Sequence, residues 1–450
     1  MQTFFPNIWL KVPEIYIPKK WTDLKKRAVV ACDQYTSQEE YRENVKNKVG
    51  KNPSTYNIIF PEIYLEKEGK EERIQNIQTY MHQYIKEWIL ENQWPCCIAI
   101  DRKTSHQTSR KWLVVALDLE AYDYSKESQT LIRATEWTII DRLPPRIEIR
   151  KDAPLESPHI MVLIDDPKKT VIEPLFENRA NYEKIYDTDL MMNGGHITGY
   201  KIVDKKSIHT IANNLEKLAN KEEFKNKYTL EQDLGVLLFA MGDGNHSLAT
   251  AKAIREEKKK LIPKEEKTDH PARFALVELV NIHDDGLVFE PIHRIIFNTQ
   301  AEKLIKDMKT YYTQQWSELI IHRYPTYEKM KKNNKTSDST THYFCMMYAN
   351  TYIVAGIKTP TFNLEVANLQ AFLDIYITKN TESKIDYIHG EDITETLGTQ
   401  EGNIGFTLPI MDKSELFKTV VVDWALPRKT FSMGEADEKK YYLECRKIKE

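Results

Sequence analysis

The stretch GVLLFAMGDGNHSLATAKAIREE, Gly235 to Glu257, runs as an apolar segment into a turn with two glycines and restarts with helical spacing. The run from Val236 to Met241 has the length of a buried strand. Leu248, Ala251 and Ile254 recur at helical intervals, which predicts a helix packed through that stripe. Only 15 glycines occur in 450 residues, yet Gly242 and Gly244 flank Asp243 at this junction. A strand that enters a glycine turn opening a helix aims free backbone N–H groups and the positive end of the helix dipole at one spot. Glycines there let the backbone approach an oxygen-rich ligand with no Cβ in the way. His246 adds a donor, Asn245 and Ser247 add polar neighbours, and Asp243 is a candidate to accept a proton or to hold Mg2+. The same residues also read as a plain Asp-Gly turn with Asn245 or Ser247 capping the helix. The spacing matches neither G-x-x-x-x-G-K-[ST] nor G-x-G-x-x-G.

Composition narrows the function classes. Hydrophobic residues make up 41% and charged ones 29%, as in globular proteins, and 450 residues suffice for two or three domains. A net charge of −3 gives no general attraction for polyanions, so nucleic acid is not expected as a partner. The five cysteines have no metal-ligand spacing and suit a reducing cytoplasm. Cys32, after the apolar Ala28–Ala31, is a weak candidate nucleophile. No apolar run approaches the roughly 20 residues of a membrane span, and the N-terminus lacks the features of a secretory signal. A cytoplasmic protein is expected.

Strand-like and helix-like segments interleave, which predicts an α/β or α+β fold of mixed sheets with packed helices. Strands are expected at Arg27–Ala31, Cys97–Ile100, Trp112–Leu117, Ile160–Ile164, Phe274–Val280, Tyr343–Tyr348 and Thr419–Val422. Helices are expected after Thr36–Glu40, which has capping-box spacing, over Ile74–Leu90 and over Ile208–Leu218. Polarity shifts suggest three blocks: an N-terminal α/β lobe 1–128, a core 129–300 and a C-terminal α/β lobe 301–450. Other polar groups sit beside apolar runs. Glu136 follows Arg133-Ala134-Thr135 and is read as opening a helix. His293 and Arg294 precede Ile295-Ile296-Phe297 and pair two potential phosphate donors, as do Arg428 and Lys429 after Pro427.

Taken in order, these segments resemble the domain-of-unknown-function 1015 family. Asp243–Ala251 resembles its D-G-H-H-R-Y-E-T-A signature, and Arg133–Thr138 its R-P-H-E-x-T. Asp284–Leu287 with Pro291–Arg294 resembles D-x-G-L … P-T-H-R, and Pro427–Thr430 resembles P-x-K-S-T. Asp33-Gln34-Tyr35 with Asn52-Pro53 falls where the family has P-Y-D-V and N-P. The paired motifs are similar to those of ParB/sulfiredoxin-like free serine kinases. The resemblance implies a ParB/sulfiredoxin-like nucleotide-binding core flanked by the two α/β lobes. It implies phosphoryl transfer between ATP or ADP and a small hydroxylated metabolite such as serine, with Mg2+. Asp243, Glu136 and His246 become the catalytic set. Gly242, Gly244, Asn245, Ser247, Arg133, His293 and Arg294 become phosphate or nucleotide contacts. A regulatory protein that binds nucleotide or phosphometabolite without turnover, and a phosphoserine phosphatase-like enzyme, are the alternatives. Four positions depart from the motifs: Asn245 and Thr135 replace histidines, Ala249 a glutamate, and Ser247 an arginine. Serine cannot supply the bidentate, permanent charge of a guanidinium.

Overall fold

Along the strand Arg110–Asp118, Leu113, Val115 and Leu117 point to one face and Trp112, Val114 and Ala116 to the other, and all six are buried. A strand covered on both sides belongs in the middle of a sheet, and the computed structural model, which describes residues 2–36, 38–157 and 159–449, has it there. The sheet has 11 strands, with Glu183–Asp189, His196–Ile202, Cys97–Lys103, Arg110–Asp118, Phe274–Asn281, Met161–Ile164, Phe239–Asp243, Ile132–Ala134 and Tyr122–Asp123 in spatial order. Met161–Ile164 runs parallel to Phe274–Asn281 and antiparallel to Phe239–Asp243, which in turn runs parallel to Ile132–Ala134. The fold class is mixed α/β.

One face of this sheet is apolar. Leu113, Val115, Val162, Val277 and Leu279 pack there with Ile208, Ile211 and Leu215 of the helix Lys205–Leu218 and with Leu248 and Ala251 of the helix Asn245–Leu261. The other face mixes apolar side chains, such as Trp112, Val114 and Ala116, with buried polar and charged ones. The register places Arg102 beside Arg110, Glu278 beside Val114, and Met161 between Glu278 and Asp243. The C-terminal segment crosses this face: Arg102 donates to the carbonyls of Asp437, Glu438 and Lys439, and Lys440 pairs with Glu278.

The chain divides into two units, residues 1–287 with 434–450, and residues 288–433. This differs from the three expected blocks, because strands on both sides of residue 128 share one sheet and the last residues return to it. The second unit holds a 7-stranded sheet in the order Glu318–Tyr324, Thr351–Lys358, Thr341–Tyr348, Ile404–Thr407, Phe289–Phe297, Lys384–His389, with Phe431–Met433 paired to Phe289–Phe297.

Four local expectations change. Thr419–Val422 belongs to the helix Lys413–Val422, where Leu416, Phe417, Val420 and Val421 form one buried helical stripe behind the Asp412 cap. Arg27–Ala31 is no strand: the helix Leu24–Arg27 ends there, and Val30 makes a single bridge to Tyr441. The helix predicted over Ile74–Leu90 is Lys70–Lys86, and Leu90 opens the strand Leu90–Pro95. The helix Glu39–Val49 starts after Gln38 with no side-chain cap; Ser37, part of the expected cap, lies outside the described residues. No helix of the described residues is long and apolar enough to cross a membrane.

Candidate functional site

The strand Phe239–Asp243 ends at Asp243, Gly244 takes a left-handed conformation with φ +80°, and the helix Asn245–Leu261 begins. Glycine is needed for two reasons: the positive φ, and a Cβ that would lie 3.1 Å from Ile160 Cα. No side chain caps the helix, so the plain capping role considered for Asn245 and Ser247 is not realised. The amides of Ser247 and Leu248 donate back to Gly244 O at 2.9 and 3.1 Å. Those of Asn245 and His246 have no acceptor among the described residues, as expected for the first turn of an uncapped helix. Asn245 Oδ1 and His246 Nε2 are buried atoms with no hydrogen-bond partner among the described residues.

Asp243 is half-buried. Its Oδ1 accepts from Gly244 N at 2.8 Å and its Oδ2 meets Lys439 Nζ at 3.0 Å. Burial pushes its pKa up, but Lys439, His159 and the Gly244 amide outweigh burial and hold it below the ordinary carboxylate value. His246 is also lowered, but with burial as the leading cause: burial, then the charges of Arg146 and Arg142, bring it to about 4. At neutral pH it is an uncharged imidazole. Arg142 and Arg146 flank the start of the helix Leu143–Arg150, which packs on Asn245–Leu261, and Arg146 pairs with Glu62 at 2.5 Å.

Glu136 lies just beyond the strand that neighbours the site strand. Ala134 lies opposite Met241 in the parallel pair, and Thr135 Oγ1 donates to Met241 O at 2.5 Å. Glu136 follows two residues beyond this pair, past the end of the strand Ile132–Ala134. It lies in a loop, and the helical geometry expected around it starts only at Ile140. Thr135, at the motif's histidine position, ties this loop to the site strand. Arg133 is engaged away from the turn: its guanidinium donates to Thr130 O at 2.8 Å and to Gly235 O, which precedes the site strand.

His293 and Arg294 lie in the second unit. His293 is buried, accepts from Leu408 N at 3.2 Å, and is lowered to about 4 by burial first. Arg294 is fully buried and donates to Ile292 O, to Gln370 at 3.2 Å and to Lys429 O at 2.9 Å. Arg428 binds Tyr387 at 2.7 Å and Asp374 at 2.6 Å. Cys32 is no thiolate: burial, then Asp33, push it up to about 12.

Of the residues around Asp243, His159, Lys439 and Lys440 carried no signal in the sequence, whereas Asp33 and Gln34 belong to a quoted motif. A small cavity beside Asp243, about 10 Å3 or room for one water, is lined by Asp33, Gln34, His159, Met161, Lys439 and Lys440 among others. His159 Nδ1 pairs with the Tyr442 hydroxyl at 2.7 Å and its Nε2 lies 3.9 Å from Asp33. Lys439 and His159 are brought to Asp243 only by the tertiary fold. No cluster of three or more His, Cys, Asp or Glu side chains placed for a metal exists among the described residues. Asp243 accepts one hydrogen bond on each oxygen, from Gly244 N and from Lys439 Nζ, and no further carboxylate or imidazole among the described residues is grouped with it for a metal.

No curated protein matches the chain. A free serine kinase in complex with AMP is 10% identical, the match covering 78% of this chain and 95% of that one at a TM-score of 0.37. A conserved hypothetical protein from Pyrococcus furiosus is 12% identical, over 75% of this chain and 95% of that one, at 0.35. C-terminally truncated SbnI from Staphylococcus aureus is 8% identical, over 71% and 82%, at 0.33. The model of the family described as protein of unknown function (DUF1015) matches residues 17–376, and the chain belongs to that family.

Proposed function

We propose that the protein is a nucleotide-dependent phosphotransferase acting on a small hydroxylated metabolite, with serine the first candidate, in a ParB/sulfiredoxin-like core. The observation that carries this reading is the uncapped start of the helix Asn245–Leu261, set directly after an ionised Asp243 at the end of a strand whose parallel neighbour leads to Glu136. Two free amides and a helix dipole favour phosphate oxygens. A carboxylate held ionised, with a second one nearby, suits the acceptor hydroxyl. In the reaction the hydroxyl oxygen bonds to the transferred phosphorus and its proton passes to Asp243 or Glu136. The bond from phosphorus to the departing nucleotide oxygen breaks. Phosphoryl transfer asks mainly for positioning and charge stabilisation, which such a cradle supplies. The neutral His246 contributes a hydrogen bond rather than a charge.

The test is turnover of ATP and ADP against a panel of hydroxy-amino acids, with Asp243→Asn as the variant. Phosphorylated product formed by the wild type and reduced at least about a hundredfold in the variant is expected. No turnover across the panel removes the kinase reading. A second reading, binding of nucleotide or phosphometabolite without turnover, is favoured by one observation: Lys439 sits on the Asp243 oxygen that a hydroxyl would need. Ligand-dependent thermal stabilisation in the absence of product distinguishes it. Release of inorganic phosphate from phosphoserine would instead identify the phosphatase.

A further inference from the structure

Positive charge is missing from the first turn of the site helix, Asn245–Leu248. Ser247 stands where the motif has an arginine, and His246 is neutral at pH 7. Arg133 and Arg294 are engaged by backbone carbonyls elsewhere. The ammonium nearest the turn belongs to Lys439, which is 196 residues away in sequence from Asp243 and 3.0 Å away in space.

We infer that Lys439 is the phosphate-contacting cation of this site, supplied by the C-terminal segment in place of the motif's arginine. The inference rests on the phosphotransferase or nucleotide-binding reading and adds a residue to it. Three observations carry it. First, Lys439 differs from its neighbour. Lys440 is held between Glu278 and Glu444, with its side chain 2% exposed, and so is saturated as a structural cation. Lys439 Nζ has one partner among the described residues, Asp243 Oδ2, and its side chain lines the cavity beside Asp243. An ammonium has three donors, so two remain for other acceptors. Second, its backbone is gripped. Buried Arg102 donates to Lys439 O at 2.6 Å and to the two preceding carbonyls, and Ala31 N donates to Lys440 O at 2.7 Å. A flexible side chain on a fixed backbone can follow a phosphoryl group without losing its place. Third, Asp243 links both halves of the cradle: one oxygen holds the Gly244 amide and the other holds Lys439. A phosphate oxygen arriving at the helix start would therefore come within reach of the ammonium, which would release Asp243 Oδ2 as it turns to the phosphate. The carboxylate is thereby freed for the acceptor hydroxyl.

The test is the affinity of the full-length protein for ADP and for inorganic pyrophosphate, by titration calorimetry, in the wild type, Lys439→Gln and Lys439→Arg, with melting temperatures measured alongside. Loss of a charge-assisted contact should weaken both ligands at least about tenfold in Lys439→Gln. Lys439→Arg keeps the charge and should stay within about threefold of wild type. Melting temperatures that hold within a few degrees separate this loss from unfolding. Wild-type binding that Lys439→Gln leaves unchanged, or that glutamine and arginine weaken alike, overturns the inference and leaves the nucleotide reading standing. A wild type that binds neither ligand overturns both.

Discussion

In the proposed reaction Asp243 is the residue on which the chemistry turns, and its environment makes its behaviour predictable. Replacement by asparagine keeps the shape but removes the charge that Lys439 and the Gly244 amide hold in place. Product formation should fall at least about a hundredfold while the fold survives, as judged by circular dichroism and the rate assay together. His246 gives a second prediction through acid stability. An unfolded chain takes up this proton near 6.5, whereas the folded protein takes it up only near 4. Between those values the unfolded state holds more protons, so acid favours unfolding. Stability should decline as pH falls from 6.5 towards 4, and His246→Gln should decline less steeply; identical pH profiles would contradict the buried neutral imidazole. The residue-level reading of the sequence was uneven for a physical reason. Asp243, Gly244 and His246 stand in one continuous turn, so local chemistry announces them. Lys439 and His159 reach the same place through sheet packing, and nothing in their own neighbourhoods distinguishes them from surface residues.

At the scale of elements, the strand–turn–helix was legible because each part has its own signal: an apolar run, glycines, and a stripe at Leu248, Ala251 and Ile254 that is buried against the sheet. Gly244 is its weakest joint. Gly244→Ala places a side chain at φ +80° and 3.1 Å from Ile160 Cα, which should cost about 1–2 kcal/mol in urea unfolding. Nucleotide affinity should fall with it, because the amides move with the turn. The segment Thr419–Val422 shows where element reading fails. Three β-branched valines in a row have strand propensity, yet the Asp412 cap and burial at positions three and four apart make a helix. Tertiary burial decided against local preference. Glu136 illustrates the same limit, since the parallel pairing of its preceding strand with Phe239–Asp243 is not encoded in its own segment.

For the molecule as a whole, the decisive feature is the return of residues 434–450 to the first unit. Composition suggested three successive lobes, but a sheet assembled from strands far apart in sequence leaves no mark in polarity along the chain. Lys440 anchors that return between Glu278 and Glu444, in a layer with almost no solvent. Lys440→Met leaves two buried carboxylates without their cation and should destabilise the protein by about 3–5 kcal/mol in urea unfolding. A loss below about 1 kcal/mol would show that the segment is not held as described. The central claim, that phosphate binds at the Gly242–Ser247 turn, is tested most directly by titrating ADP into protein labelled with 15N only at its 15 glycines and following the amide resonances. The account predicts saturable shifts centred on Gly242 and Gly244; no shifts, or shifts confined to Gly356, Gly398 and Gly405 of the second unit, would contradict it.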